Sequence, residues 1–126
     1  METILVFIGG IVGGGFRIGL TDALPDLAFP YVTLLINLSG AFLLPLWNNY
    51  WGFKFHFRPA VRKAVGVGGI GSFTTFSGIT LDAGHLLLSQ HYASLAIYLL
   101  ITIIGGVICA ILGDQYSNSL RESEAI

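Results

Sequence analysis

Long stretches without a single charge constrain this chain more than any other feature. Asp26 and Lys54 bracket 27 uncharged residues, Lys63 and Asp82 bracket 18, and Asp82 and Asp114 bracket 31. Glu2 and Asp22 bracket a further 19, broken only by Arg17. A helix needs about 20 mostly apolar residues to cross a bilayer. The windows therefore give four spans, about 3–22, 30–51, 62–88 and 92–115, in one all-α transmembrane domain covering 1–126. Only 10% of the 126 residues are charged and 54% are hydrophobic, with a mean hydropathy of +0.78. So small a soluble domain could not cover its surface with so few charges. Connectors are short, so neighbouring helices are expected to be antiparallel. The polar tail 116–126 is expected to fray and to be dispensable.

Several classes drop out. A net charge of −1 gives no footprint for nucleic acid. Cys109 is the only cysteine, and no Cys/His pair has zinc spacing. No nucleophile–base pair or phosphate loop is present, so an enzyme is not expected. Gly66-Val67-Gly68-Gly69-Ile70-Gly71 matches G-x-G-x-x-G, but that fingerprint requires a preceding strand, a following helix and an acid about 20 residues on. Residue 91 is histidine, and the flanks read as membrane helix. Glu2 stands where a signal peptide would be basic, so a cleavable leader is not expected.

Four spans place the N-terminus, the 52–61 loop and the C-terminus on one side. That side carries Lys54, Arg58, Arg62, Lys63 and Arg121, while the loops near 23–29 and 89–91 carry no Lys or Arg. Basic loops stay cytoplasmic. The expectation is a multi-pass plasma-membrane protein in one orientation, with both termini cytoplasmic.

The third span is unusual. Residues 66–80 read GVGGIGSFTTFSGIT. Each helical glycine costs about 1 kcal/mol relative to alanine. Two readings stay open here: a break near Gly71–Thr75, or a continuous helix whose glycines let a neighbour approach. A break would have to be buried in protein, beside water or on an ion, because unpaired backbone cannot face lipid. Discontinuous membrane helices offer carbonyls to cations and N–H groups to anions.

Other spans carry polar stripes. Arg17 either snorkels to the headgroups or faces the protein. Thr33 and Asn37 are four apart and share a face of span two, as pore lining or as interhelical bonding. Pro45 is expected to kink that span. Trp47, Tyr50 and Trp51 read as an interfacial belt. Tyr98, Thr102 and Gly106 share a face of span four, and Asp82 is the one carboxylate set well inside a span. Gly9, Gly10, Gly13, Gly14 and Gly15 give small-xxx-small contact signals on span one. His85 and His91 are expected at the interface, not as ligands.

Together these residues resemble the Fluc (CrcB) fluoride channel family over nearly the whole chain. Gly13-Gly14-Gly15-Phe16-Arg17 resembles its first-helix motif. Thr33-Leu34-Leu35-Ile36-Asn37-Leu38-Ser39-Gly40 resembles T-x-x-V-N-x-x-G. Gly68-Gly69-Ile70-Gly71-Ser72-Phe73-Thr74-Thr75-Phe76-Ser77 resembles G-x-x-G-G-x-T-T-F-S. The resemblance implies an antiparallel dimer of four-helix subunits whose third helices break at T-T-F-S. It implies a structural central Na⁺ held by backbone carbonyls of Gly71 and Thr74 from both subunits, flanked by two fluoride pores. It places Asn37, Phe76, Thr80, Tyr98 and Thr102 along a pore and Arg17 in a structural role. Asp82 replaces the family's usual glutamate.

The physics agrees with that assignment. Fluoride is small and strongly hydrated, so a pore must replace its water with hydroxyl, amide or electropositive aromatic-edge contacts. HF crosses membranes, dissociates at neutral pH and traps fluoride inside. A passive channel lets the membrane potential drive the anion out.

The chain also departs from the pattern. The family continues T-T-F-S-T-F, whereas here Ser77 is followed by Gly78, Ile79 and Thr80. Ile79 offers no polar edge, and a pore depending on it is expected to be impaired. The one-sided basic residues also oppose the dual insertion a homodimer needs. A heterodimer with an oppositely oriented paralogue is therefore expected over a homodimer in which Ile79 is tolerated. The alternatives are a small multidrug transporter, which needs an acid in span one that is missing here, and a non-conducting partner subunit.

Overall fold

A computed structural model describes residues 1–25 and 27–125; Asp26 of the first connector and Ile126 of the tail lie outside the described residues. Four helical segments long and apolar enough to span a membrane run α1 Glu2–Ala23, α2 Tyr31–Lys54, α3 Pro59–Leu88 and α4 Tyr92–Glu124. No strand occurs among the described residues.

Helix pairing follows the small residues. α1 packs along the first half of α3, and α2 packs along the second half of α4. A Cβ on Gly9 would overlap the Ala64 carbonyl, and one on Gly13 would overlap the Gly69 carbonyl. Reciprocally, a Cβ on Gly68 would overlap the Val6 carbonyl. Glycine thus lets the two backbones touch, where dispersion and Cα–H···O contacts supply the attraction that lipid cannot. Gly113 plays the same part between α4 and the Phe42 carbonyl of α2.

Three stretches wind as π-helix: Trp47–Trp51 in α2, Ala64–Ile70 in α3 and Ile101–Gly105 in α4. The wider turn rotates side chains relative to an α-helix. In α2 it follows Pro45, and the helix runs on through that proline to Lys54. Two of the three expected interfacial aromatics on this stretch make contacts within the chain. Tyr50 is buried, and the Trp47 indole N–H donates to the Arg62 carbonyl at 3.1 Å. Of the three expected belt residues, Trp51 alone stays on the surface.

The tail differs from its expectation. α4 stays helical to Glu124, with Ser117 fully buried. The Tyr50 hydroxyl donates to the Glu124 carboxylate at 2.6 Å, and Lys54 pairs with the same group. Asn49 Nδ2 donates to Asp114 at 2.6 Å. Polarity misled because these polar groups find partners on the end of α2. Lys63 pairs with Glu2 at 3.2 Å, so the N-terminus, the 52–58 connector and the tail meet at one end of the bundle.

Two outcomes are expected. Gly13→Ala, which must displace a carbonyl rather than a flexible side chain, lowers stability by about 1–3 kcal/mol. Gly84→Ala, which meets open space within the chain, does not; thermal midpoints in detergent compare them. Truncation after Gln115 lowers the same midpoint by several degrees, where a dispensable tail would leave it unchanged.

Candidate functional site

Midway along α3 the helical hydrogen bonding stops. The turn Gly71–Phe73 ends at Thr74, which is extended (φ −70°, ψ 157°), as is Thr75 (φ −146°, ψ 122°). Helix resumes at Phe76 and runs to Leu88. Thr75 starts it, accepting the Gly78 N–H on its hydroxyl at 3.0 Å, a serine/threonine N-cap. Four glycines just upstream give little helical preference, and the β-branched Thr74-Thr75 pair favours extended backbone.

Peptide groups freed in an apolar medium need partners, and Asn37 supplies them. Its Nδ2 donates to the Thr75 carbonyl at 3.0 Å, and its Oδ1 accepts the Thr75 N–H at 2.7 Å. One side chain of α2 thus pairs both main-chain groups of one extended residue. A second Nδ2 hydrogen remains available. Gly40, one turn on, would overlap the Thr74 methyl if it carried a Cβ. The Asn37 and Gly40 positions therefore work together to seat the interruption against α2.

Other expected site residues divide into groups. Thr74, Thr80 and Thr102 each donate their hydroxyl to a main-chain carbonyl: Gly71 at 3.0 Å, Phe76 at 3.1 Å and Tyr98 at 2.7 Å. Their oxygens remain acceptors, and donation elsewhere requires rotation about the C–O bond. Tyr98 is fully buried, and its hydroxyl donates to Asp82 at 3.2 Å. Its ring meets Phe29 edge-on at 5.9 Å. Ile79 packs against the core of Leu34, Leu86 and Tyr98. Phe76 projects away from the chain and is 82% exposed. Arg17 is half-buried on α1, with no ion pair among the described residues; neighbouring Phe16 packs its ring 5.8 Å from that of Phe73.

At the end opposite the basic connector lies a cavity of about 530 Å³. Its lining includes Tyr31, Thr33, Asp82, His85 and His91. Both histidines thus face a shared cavity, which periodicity alone did not indicate. Thr33 lies one turn from Asn37, so the α2 polar face leads from the cavity toward the interruption. Gly71 and Thr74 stand at the end of the short Gly71–Phe73 turn, where carbonyls lack a following helical N–H. No group of three or more His, Cys, Asp or Glu suited to a metal occurs among the described residues.

Sequence reasoning missed the reciprocal Asn37–Thr75 bonding. The signal that could have found it was the coincidence of one mid-span amide with one helix-poor stretch in an otherwise apolar chain.

Comparison with known proteins adds to this geometry. Residues 4–114 match the family model described as CrcB-like protein, Camphor Resistance (CrcB). The chain is 39% identical over 117 residues to a protein named Fluoride-specific ion channel FluC 1 from Latilactobacillus sakei subsp. sakei (strain 23K), covering 93% of this chain and 84% of the relative. A protein of the same name from Desulfitobacterium hafniense (strain Y51) is 36% identical over 98 residues, covering 78% and 86%. Another from Staphylococcus aureus (strain NCTC 8325 / PS 47) is 30% identical over 120 residues, covering 95% and 99%.

Replacing Asn37 tests the site directly. Asn37→Leu orphans two peptide groups and is expected to cost about 1–3 kcal/mol for each. Asn37→Asp offers a donor only when its acid is neutral. Its stability should therefore fall short of wild type at high pH and recover as pH drops. Detergent unfolding at two pH values measures both.

Proposed function

Because the chain belongs to the CrcB family, we propose that it is a fluoride-specific channel subunit that passively exports cytoplasmic fluoride and relieves its toxicity. The interruption at Thr74–Thr75, held by Asn37 from the neighbouring helix, carries this reading. Such a structure is costly in lipid and serves no purpose in a simple four-helix bundle. The family consists of proteins named as ion channels, so the chemistry is permeation, not catalysis.

Fluoride gives up hydration when it enters. The spare Asn37 N–H and the rotatable hydroxyls of Thr80 and Thr102 replace part of that shell with single, separated donors. No fixed cation among them would hold the ion too tightly to leave. The exposed Phe76 ring offers its electropositive edge. Asp82, which accepts the Tyr98 hydroxyl, lines the cavity.

One chain is half of the assembly. Phe76 projects outward and finds its use against a second, antiparallel subunit. The carbonyls of Gly71 and Thr74 suit a hard cation with oxygen ligands. Two carbonyls per chain are too few for Na⁺, so the site is shared. Bound there, Na⁺ supplies positive potential and holds the two interruptions together. The residues fit that role: neutral oxygens, a helix end, and no competing base.

The mate is a paralogue of opposite orientation. Ile79, where a second pore phenylalanine is expected, is committed to the subunit core, so a pore relying on it lacks one ring. The basic residues gathered at one end favour a single insertion, with that end and both termini facing the cytoplasm of the plasma membrane.

Fluoride-loaded vesicles with a potassium ionophore test the proposal. The chain with its mate should release fluoride and retain chloride. Equal chloride release would overturn the channel assignment. Efflux from an assembly shown by native mass analysis to contain this chain alone would overturn the paralogue pairing and leave the channel assignment intact.

A further inference from the structure

The connector between α2 and α3 alternates ring and base: Phe53-Lys54-Phe55-His56-Phe57-Arg58, followed by Arg62 and Lys63. Phe53 and Phe55 are each 59% exposed and Phe57 is 41% exposed. These rings form a surface of their own. Phe57 lies 5.6 Å from Trp47 and 6.1 Å from Phe55, centroid to centroid. His56 turns the chain between them in the left-handed region, at φ 52°.

The charges sort themselves. Lys54 is taken by Glu124 and Lys63 by Glu2. Among the described residues, Arg58 and Arg62 have no ion-pair partner. Arg62 lays its guanidinium 3.9 Å from the centre of the Phe53 ring. Gly52 leaves room for its stem, since a Cβ there would stand 3.0 Å from Arg62 Cδ. Arg62 thus lies over an aromatic ring, and Arg58 is exposed on the same connector between two spans.

We propose that this connector is a docking surface for the headgroup of an anionic phospholipid. Arginine matches phosphate oxygens bidentately, and aromatic rings settle at headgroup depth. The rings continue the apolar flanks of α2 and α3, so a lipid can meet phosphate and rings at once. The opposite end carries no Lys or Arg in its connectors, so the grip is one-sided. Each basic residue near an anionic surface contributes about fivefold in affinity, and that part weakens with salt.

The purified assembly is placed in nanodiscs of phosphatidylcholine alone and of phosphatidylcholine with an equal share of phosphatidylglycerol. Retained lipids are then counted by native mass spectrometry. Wild type should retain phosphatidylglycerol preferentially and gain thermal stability from it. Arg58→Gln and Arg62→Gln should each lower that preference about fivefold, while Phe55→Ser should weaken retention of both lipids. Fluoride efflux should persist in Arg58→Gln, because that residue lies far along the chain from the pore track. Equal retention of the two lipids by wild type would overturn the proposal, as would an unchanged preference in Arg58→Gln. That variant decides the matter alone if Arg62→Gln fails to fold, since Arg58 is exposed.

Discussion

Everything distinctive here rests on satisfying one extended residue inside an apolar slab. A helix pairs its own peptide groups, which is why it crosses lipid at all. At Thr74–Thr75 that self-sufficiency lapses, and the deficit is met from outside by the Asn37 amide. A primary amide suits the task because it carries donor and acceptor on one rigid plane. A hydroxyl would reach one group, and a carboxylate would bring a charge. The fixed spacing of Thr33, Asn37 and Gly40 on α2 then follows from geometry: the amide must face the gap, and the residue one turn on must not obstruct it.

Glycine sets the distances that make this bonding possible. Where Gly9, Gly13 and Gly68 meet opposing carbonyls, α1 and the first half of α3 stand at backbone contact. That interface holds one side of the interruption, and α2 holds the other. In water, burial of large side chains would do this work. In lipid, apolar side chains gain little from leaving the solvent, so close approach and polar pairing take over. This explains why large apolar residues such as Phe7, Ile11 and Ile103 stay on the outside of the chain.

Much of this was legible in the residues. Charge-free windows gave the four spans because a bilayer excludes charge, and that constraint acts on each residue singly. The weak helix near Gly71–Thr75 was legible because glycine and β-branched propensities are local. Choosing between the two readings left open was not possible from spacing, since the choice depends on what α2 offers across the gap. The π-helical turns escaped altogether, because they redistribute hydrogen bonds without changing composition; the hydrogen bonds of Trp47 and Tyr50 within the chain escaped with them. The tail escaped for a similar reason. Its polar residues pair with groups some 70 positions away, and no periodicity records such a match. Ile79 illustrates the remaining limit, because a substitution that reads as a pore defect is also a good core residue.

The bond between Lys54 and Glu124 has a consequence for how the chain is made. A ribosome delivers the lysine long before its acid. During that interval the nascent protein shows the translocation machinery a full, uncompensated positive charge after its second hydrophobic segment. The carboxylate that pairs with it follows 70 residues later. A lysine that is paired in the finished molecule is thus unpaired while its own segment is being inserted.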